Sequence, residues 1–321
     1  MKIIIPGGTG QVGSILARDF LREGHEVVIL SRKVQKAPFR VVRWDPAVES
    51  PPPDSEWVRE FDGADAVINL AGKSVNCRYH AKNRREIMQS RIDSVRAVAS
   101  ALANVARPPR VWLQASTATI YAHRYDQPND EFTGMLGGNE PNAPDTWRFS
   151  IDVAKAWEQT FDEAVVPGVR KVKLRAAMIM SPDRGGTFDI LLGLLRKGLG
   201  GTCGDGRQFM SWIHDTDFVH AIKWLISREE YQGAVNICSP HPLPQREFMS
   251  AMRQAWGIRI GLPATKWMLE VGAVFMKTET ELILKSRRVI PGRLLQDGFQ
   301  FHYPDWPAAA DELCHRWRRG F

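Results

Sequence analysis

The chain has 321 residues, 44% of them hydrophobic and 25% charged, so it can bury a large core as one domain or as one domain with an appendage. Its 43 Lys and Arg residues outnumber its 36 Asp and Glu residues, which gives a modest net charge of +7. That charge suits a phosphorylated ligand. No nucleic-acid-binding motif accompanies it, which argues against a DNA- or RNA-binding protein.

Membrane and metal roles are also disfavoured. The first apolar stretch meets Pro6 and is too short for a signal sequence or a membrane span. The cysteines lie far apart, show no CxxC spacing and have no histidine cluster beside them, so we expect free thiols, no metal site and a cytoplasmic location. They are Cys77, Cys203, Cys238 and Cys314.

Short apolar runs alternate with helical stretches along the first half of the chain. The runs that predict strands are residues 3–5, 27–30, 41–44, 66–70, 111–114 and 172–180. Between the first two runs, apolar residues recur at helical spacing at Val12, Leu16 and Phe20, and the same spacing returns across residues 87–102 and 149–161. Strands alternating with helices predict an α/β fold, a doubly wound parallel sheet of the Rossmann type.

A glycine-rich turn follows the first predicted strand. Its sequence is Gly7-Gly8-Thr9-Gly10-Gln11-Val12-Gly13. Gly7 and Gly10 allow backbone to approach a pyrophosphate, and Gly13 lets the helix pack on the strand. The helix N-terminus offers unpaired N–H groups to the anion. We therefore predict a dinucleotide site at Gly7, Gly10, Gln11, Val12 and Gly13.

The residues after the second predicted strand indicate which dinucleotide is bound. An NAD-preferring protein usually carries Asp or Glu there, whereas this chain has Ser31-Arg32-Lys33. A hydroxyl and a cation suit the 2′-phosphate of NADP(H). The alternative is a solvated basic turn. We predict NADP(H) as the cofactor, bound in part by Ser31 and Arg32.

Two further stretches follow the fourth and fifth predicted strands, at the sheet edge where α/β proteins bind ligands. They are Asn69-Leu70-Ala71-Gly72 and Ser116-Thr117-Ala118-Thr119-Ile120-Tyr121. With the glycine turn, they match the extended short-chain dehydrogenase/reductases in order and spacing, and the chain resembles that family. The resemblance implies cofactor contacts from Asn69, Ala71, Gly72, Arg91 and Ser116, and an orienting role for Thr117 beside the substrate oxygen.

More narrowly, the chain resembles the sugar-nucleotide-epimerase-like branch that carries a short C-terminal domain of unknown function. The motifs behind this resemblance cover nearly the whole chain and include Gln89-Ser90-Arg91, Ala156-Trp157-Glu158, Leu174-Arg175, Ser211-Trp212-Ile213-His214 and Arg288-Val289-Ile290-Pro291. The resemblance also implies a homodimer through the helices predicted at 84–104 and 149–165.

The pattern becomes less regular after about residue 180. Glycines crowd residues 198–206, and predicted helices at 217–227 and 246–256 flank a strand at 234–237. We interpret this part as a smaller C-terminal substrate lobe. The predicted division is a Rossmann domain over 1–180 with strand contributions from later residues, a substrate-covering lobe over 181–262, and a C-terminal segment over 263–321.

The C-terminal segment is expected to dock on the lobe, because it carries large apolar side chains that would be costly to leave in water. These are Trp267, Leu269, Val271, Phe275, Phe299 and Phe301.

One family feature is missing. Catalytic members use a Tyr-x-x-x-Lys pair, in which the lysine lowers the tyrosine pKa so that a proton can move near neutral pH. Aligning the helix by Glu158 places Ser150 at the tyrosine position and Ala154 at the lysine position. Lys155 is one residue further, a rotation of roughly 100° around the helix. The resemblance therefore implies a cofactor more strongly than a reaction.

Two functions remain open on the sequence. The first is an NADP(H)-dependent reductase or epimerase acting on a small hydroxyl or carbonyl compound, and the second is a non-catalytic regulator that uses bound NADP(H) to bias a partner-binding surface. Substitute proton-transfer groups are Tyr79, His80, His123 and His214.

Overall fold

The computed structural model describes residues 1–34, 36–48, 52, 54–141, 143–265, 268 and 279–320. The strands are β1 (Lys2–Pro6), β2 (Glu26–Ser31), β3 (Arg40–Arg43), β4 (Ala66–Asn69), β5 (Val111–Thr117), β6 (Arg170–Ala176), β7 (Met178–Met180), β8 (Phe209–Met210), β9 (Trp212–His214), β10 (Gly233–Ile237) and β11 (Leu243–Pro244). The helices are α1 (Gln11–Arg22), α2 (Glu56–Arg59), α3 (Ala81–Ala103), α4 (Asp145–Glu163), α5 (Thr187–Arg196), α6 (Asp215–Ser227), α7 (Gln245–Trp256), α8 (Glu281–Leu284), α9 (Gly292–Gln296) and α10 (Trp306–Arg319), with a 3₁₀ turn at Ala118–Ile120.

A parallel sheet of seven strands runs through the described residues in the order β10-β6-β5-β4-β1-β2-β3. Strands β2 and β3 extend the sheet from β1 toward one edge. The chain then crosses back over β1, and β4, β5 and β6 extend the sheet toward the other edge. The sheet is apolar because helices cover both faces, and Ile3, Ile4 and Ile5 are fully buried. This confirms the predicted doubly wound parallel sheet and puts its switch point between β1 and β4.

The helices form two layers around that sheet. Helix α1 turns Ile15, Leu16 and Phe20 to one face, where they share a core with α6. Helices α3 and α4 cover the other face, where Val95 of α3 and Trp157 of α4 join the second core. Both layers leave the carboxyl edge of the strands free for loops.

The run predicted as a single strand over 172–180 is in fact two strands. Strand β6 stays in the main sheet, but the N–H of Ala177 bonds to the carbonyl of Ile237 at 3.0 Å, and β7 then pairs with β9 in a separate sheet. The prediction was wrong here because an apolar run reveals burial and does not reveal a change of pairing partner.

A smaller core forms beyond the main sheet. Helices α5, α7 and α10 supply Phe188, Phe248 and Trp306, which pack with Trp212 of β9. Phe299 joins the core of the main sheet. Trp267, Leu269, Val271 and Phe275, also expected to dock, lie outside the described residues. The domain boundaries proposed from the sequence stay a prediction, and no helix within the described ranges is long and apolar enough to cross a membrane.

Candidate functional site

The glycine-rich turn joins β1 to α1 beside the switch in strand order. Gly7 has φ of +74°, and a Cβ atom there would lie 2.5 Å from the Cα of Ala71, in the turn after β4. A Cβ atom on Gly13 would lie 2.3 Å from Gly8. Larger side chains cannot fit at these two positions. The turn is therefore built for close backbone approach, as the sequence predicts.

The N-terminus of α1 is suited to an anion. Gly10 caps the helix without a side-chain hydrogen bond, and the first turn carries no acidic residue. Helix geometry leaves the N–H groups of Gln11 and Val12 without intrahelical partners. The side-chain amide nitrogen of Gln11, Nε2, is buried next to Gly186 and has no hydrogen-bond partner among the described residues. Orphaned donors at a helix N-terminus fit a phosphate group.

Arg91 places a cation next to this turn. A Cβ atom on Gly72 would lie 3.3 Å from the Arg91 side chain, which donates to the carbonyls of Lys73 and Ile87 and lies over the ring of Trp157. Burial lowers the pKa of Arg91 to about 10. Arg91 forms no ion pair with a described carboxylate, so a bound anion would compensate its buried charge.

The end of β2 carries the residues expected to select the nucleotide. Ser31 accepts a hydrogen bond from the N–H of Lys33 at 3.3 Å, and Arg32 is exposed. The structure adds Arg43, which lies directly opposite Ser31 in the β2–β3 register and is exposed as well. Arg43 gives no signal in the sequence, because the strand pairing that brings it beside Ser31 is not visible in a local motif.

Two side chains expected to contact the cofactor are engaged inside the protein. Asn69 is fully buried, donates to Gln114 at 2.9 Å and accepts the N–H of Ala71 at 3.1 Å. Ser116 donates to Glu158 of α4 at 2.6 Å. Asn69 therefore shapes the turn against which Gly7 packs, and the Ser116 hydroxyl is directed to α4.

Ser150 and Ala154 occupy different environments on α4. Ala154 is fully buried, whereas Ser150 is half-buried and hydrogen-bonded through its hydroxyl. Lys155 lies on another side of the helix and lines a surface cavity with Gln159 and Lys173. Thr117, at the end of β5, accepts the N–H of Thr119 at 3.1 Å.

Ser150 links two proton-carrying side chains from distant parts of the chain. Its hydroxyl donates to the Glu281 carboxylate in a short hydrogen bond, and the Tyr79 phenol lies beside the same hydroxyl. The three side chains therefore lie along a path from Tyr79 through Ser150 to Glu281.

Burial alters the acidity at both ends of this path. Burial raises the pKa of Tyr79 to about 12, so its phenol is protonated near neutral pH. Burial also raises the pKa of the Glu281 carboxyl, although Arg287 and the Ser150 hydroxyl oppose the shift. A carboxylate with a raised pKa can accept and release a proton closer to neutral pH.

Tyr79 is held on several sides. Its N–H donates to Glu279 at 2.6 Å, and Arg84 donates to its carbonyl at 2.7 Å. Its ring packs edge-on against Phe149, with 5.2 Å between centroids. The phenol is therefore fixed beside Ser150 by α3, α4 and the segment that leads into α8.

The segment from 279 to 288 crosses this site and was missed as a functional element. Lys285 donates to the carbonyl of Thr119 at 2.7 Å, and Arg287 donates to the Thr119 hydroxyl at 3.1 Å. Arg287 also pairs with Glu281 at 3.3 Å. Burial, with repulsion from Arg287, lowers the pKa of Lys285 to about 8. The segment's one visible signal in the sequence is the group of charged residues between positions 279 and 288, which no motif connects with the site.

The three histidines considered as substitutes have other roles. His80 directly precedes α3 and contacts Asn83 at 3.1 Å. His123 accepts the N–H of Ser286 at 2.7 Å, and burial lowers its pKa. His214 is fully buried, caps α6 and contacts Glu312 at 2.8 Å. Of the four substitutes considered, Tyr79 is the one that lies beside Ser150.

Sequence comparison identifies two family models along the chain. The NAD dependent epimerase/dehydratase family matches residues 3–238, and the Domain of unknown function (DUF1731) matches residues 264–313. Human epimerase family protein SDR39U1 is 28% identical over 318 residues, which cover 98% of this chain and 99% of that protein. Epimerase family protein YfhF of Bacillus subtilis (strain 168) is also 28% identical, with 98% of each chain covered.

Solved structures give a consistent result. A crystal structure of human SDR39U1 (isoform2) with NADPH superposes with a TM-score of 0.83 at 26% identity, covering 98% of this chain and 99% of that one. The UDP-glucose 4-epimerase TM0509 of Thermotoga maritima, with UDP-glucose, gives 0.73 at 13% identity, covering 100% and 99%. At that lower identity the likeness concerns the fold alone.

Proposed function

Because this chain belongs to the NAD dependent epimerase/dehydratase family, we propose that it binds NADP(H) and oxidises, reduces or epimerises a small hydroxyl or carbonyl compound. The cofactor proposal rests on the glycine turn, the orphaned Gln11 amide and the unpaired Arg91 described above. The human SDR39U1 structure with NADPH supports the same choice. The reaction proposal rests on the path from Tyr79 through Ser150 to Glu281.

That path replaces the missing tyrosine and lysine. In oxidation, the substrate hydroxyl gives its proton to Tyr79 as the phenol proton moves to Ser150 and the serine proton moves to Glu281. Reduction runs the same transfers in reverse. A bound nicotinamide would accept or supply the hydride at the substrate carbon, so each oxidation or reduction would move one hydride and one proton. Arg287 balances the charge of the Glu281 carboxylate.

Thr117 and Thr119 complete the site. Thr119 is held by Lys285 and Arg287, and its N–H in turn fixes the hydroxyl oxygen of Thr117. We infer that Thr117 orients the substrate oxygen toward Tyr79.

The experiment compares NADPH oxidation by the wild type and the Tyr79→Phe variant against a panel of carbonyl compounds. We expect Tyr79→Phe to lower kcat by roughly 10²–10⁴-fold and to leave NADPH affinity unchanged, because the ring remains and only the proton carrier is lost. Ser150→Ala should cause a similar loss. The control is Tyr125→Phe, since Tyr125 is exposed and outside this path.

Full activity in Tyr79→Phe would exclude the path. A wild-type protein that binds NADPH tightly but reduces none of the compounds would instead support the non-catalytic regulator. The absence of tyrosine at position 150 and of lysine at position 154 favours that second function.

A further inference from the structure

Three side chains with metal-ligating atoms meet away from the dinucleotide site. Asp217 and His220 are one turn apart on α6, and His302 belongs to the segment between α9 and α10. One ligand atom from each residue lies within 4.8 Å of the others. Because i and i+3 side chains share a helix face, α6 presents two ligands together, and the third comes from a segment 85 residues further on.

The pair formed by Asp217 and His302 is already spaced as two ligands of one ion. Asp217 Oδ1 is 3.2 Å from His302 Nδ1. Two ligands bound to zinc at about 2.0–2.2 Å in tetrahedral geometry are about 3.3–3.5 Å apart. The carboxylate is fixed by the backbone N–H groups of His302 and Tyr303 at 2.7 and 2.9 Å, which is the kind of outer support that orients metal ligands.

His220 supplies a nitrogen that the protein does not use. Its Nδ1 is buried and has no hydrogen-bond partner in the described part of the chain. Its ring packs against Phe299 at 4.8 Å and meets the His302 ring at 5.3 Å.

We propose that Asp217, His220 and His302 bind one divalent transition-metal ion of the zinc type. Two imidazoles and one carboxylate are ligands that zinc favours, and three protein ligands leave a fourth position for water. The His302 side chain is 57% exposed, so the ion can enter from solvent and the ring can turn to complete the site. His220 also lines a surface cavity of about 990 Å³ at the amino ends of the strands. The bound ion would fasten the C-terminal segment to α6.

The test titrates metal-free protein with Zn²⁺ by calorimetry and with Co²⁺ by visible absorption. We expect one equivalent to bind, a higher Tm with Zn²⁺, and Co²⁺ bands typical of tetrahedral coordination. His302→Ala and His220→Ala should each weaken Zn²⁺ binding roughly tenfold or more, as loss of a ligand costs at least as much as loss of its outer support. Both variants should keep the far-UV circular dichroism of the wild type.

His241→Ala is the matched control. His241 contacts Asp305 at 2.7 Å in an exposed histidine–aspartate pair that belongs to no three-residue cluster among the described residues. Zn²⁺ affinity in this variant should equal that of the wild type. Equal affinity in wild type, His220→Ala and His302→Ala would overturn the proposal, as would an equal loss in His241→Ala.

Discussion

Lys285 is a buried ammonium group whose environment makes its charge costly. Burial and Arg287 lower its pKa from the ordinary lysine value of 10.5 to about 8. Glu281 and Glu140 oppose this shift. Between these values the unfolded chain binds this proton and the folded chain does not. The contribution of Lys285 to the free energy of unfolding therefore rises as pH increases from about 8 to 10.5.

We expect the Lys285→Met protein to lack this rise. Relative to the variant, the free energy of unfolding of the wild type should rise by up to roughly 3 kcal/mol between pH 7.5 and pH 10.5, because each unit of pKa shift corresponds to about 1.4 kcal/mol. Urea unfolding at both pH values measures the difference, with exposed Lys82→Met as the control. An identical pH dependence in wild type and Lys285→Met would mean that Lys285 keeps its proton.

Selection between the two nicotinamide nucleotides also depends on single residues. Ser31, Arg32 and Arg43 gather at one sheet corner, and the last two are exposed cations. A charge-assisted bond to the 2′-phosphate contributes roughly 1.5–3 kcal/mol, so NADPH should bind roughly 10–100-fold more tightly than NADH. Arg32→Asp should reverse the preference, and Arg43→Ala should weaken NADPH alone. Calorimetric titration with each nucleotide measures the two affinities. Equal affinities of the wild type for NADPH and NADH would contradict the predicted preference.

The local structure of the glycine turn was predictable from the sequence. The glycine turn lies within seven consecutive residues, so its strand, turn and helix could be inferred together. Tyr79 was named from the sequence as a substitute proton-transfer group, but Glu281 was not, because it lies 131 residues after Ser150 and only folding brings the two together. The proposed metal ligands were missed for the same reason, since His302 lies 85 residues after Asp217.

At the level of elements, α10 fastens the C-terminal segment to the smaller core. The Trp306 ring stacks on Phe248 with 3.9 Å between centroids and lies 4.9 Å from Trp212. Its indole N–H donates to the Phe248 carbonyl at 2.8 Å. These contacts place a fully buried aromatic between α7 and β9, as expected of a docked segment.

Trp306→Ala should lower the free energy of unfolding by about 3–5 kcal/mol, since it removes a large buried ring and leaves a cavity. Phe132→Ala is the control, because Phe132 is 61% exposed and its loss should change stability by less than about 0.5 kcal/mol. A chain ending at Leu262 should be destabilised further. Thermal and denaturant unfolding measure all three, and an unchanged midpoint for Trp306→Ala or the shortened chain would contradict docking.

The long, periodic elements were predictable, whereas the short ones were not. Strands β8 and β11 have two residues each, and they form because they pair with each other. Helix α1, in contrast, is predictable from its apolar stripe, and it ends two residues before Gly24, whose φ of +78° suits the position after a helix C-terminus.

On the scale of the whole molecule, the chain does not fold as successive independent blocks. The core around the main sheet takes β1 and β2 from the start of the chain, β10 and α6 from the middle, and Leu294 and Phe299 from the end. Sequence order alone could not reveal this, because parallel sheets recruit strands across long separations. The segment numbered 181–262 thus contributes to both the main core and the smaller one.

The position of Glu281 near the end of the chain has a consequence for biosynthesis. A ribosome delivers the N-terminal part first, and all seven strands of the main sheet have been synthesised once residue 237 is added. A nascent chain of that length carries the glycine turn, Arg91 and Ser150 but still lacks Glu281 and Arg287. In the proposed mechanism, the residues expected to hold the nucleotide are therefore synthesised before the carboxylate that is expected to take the proton.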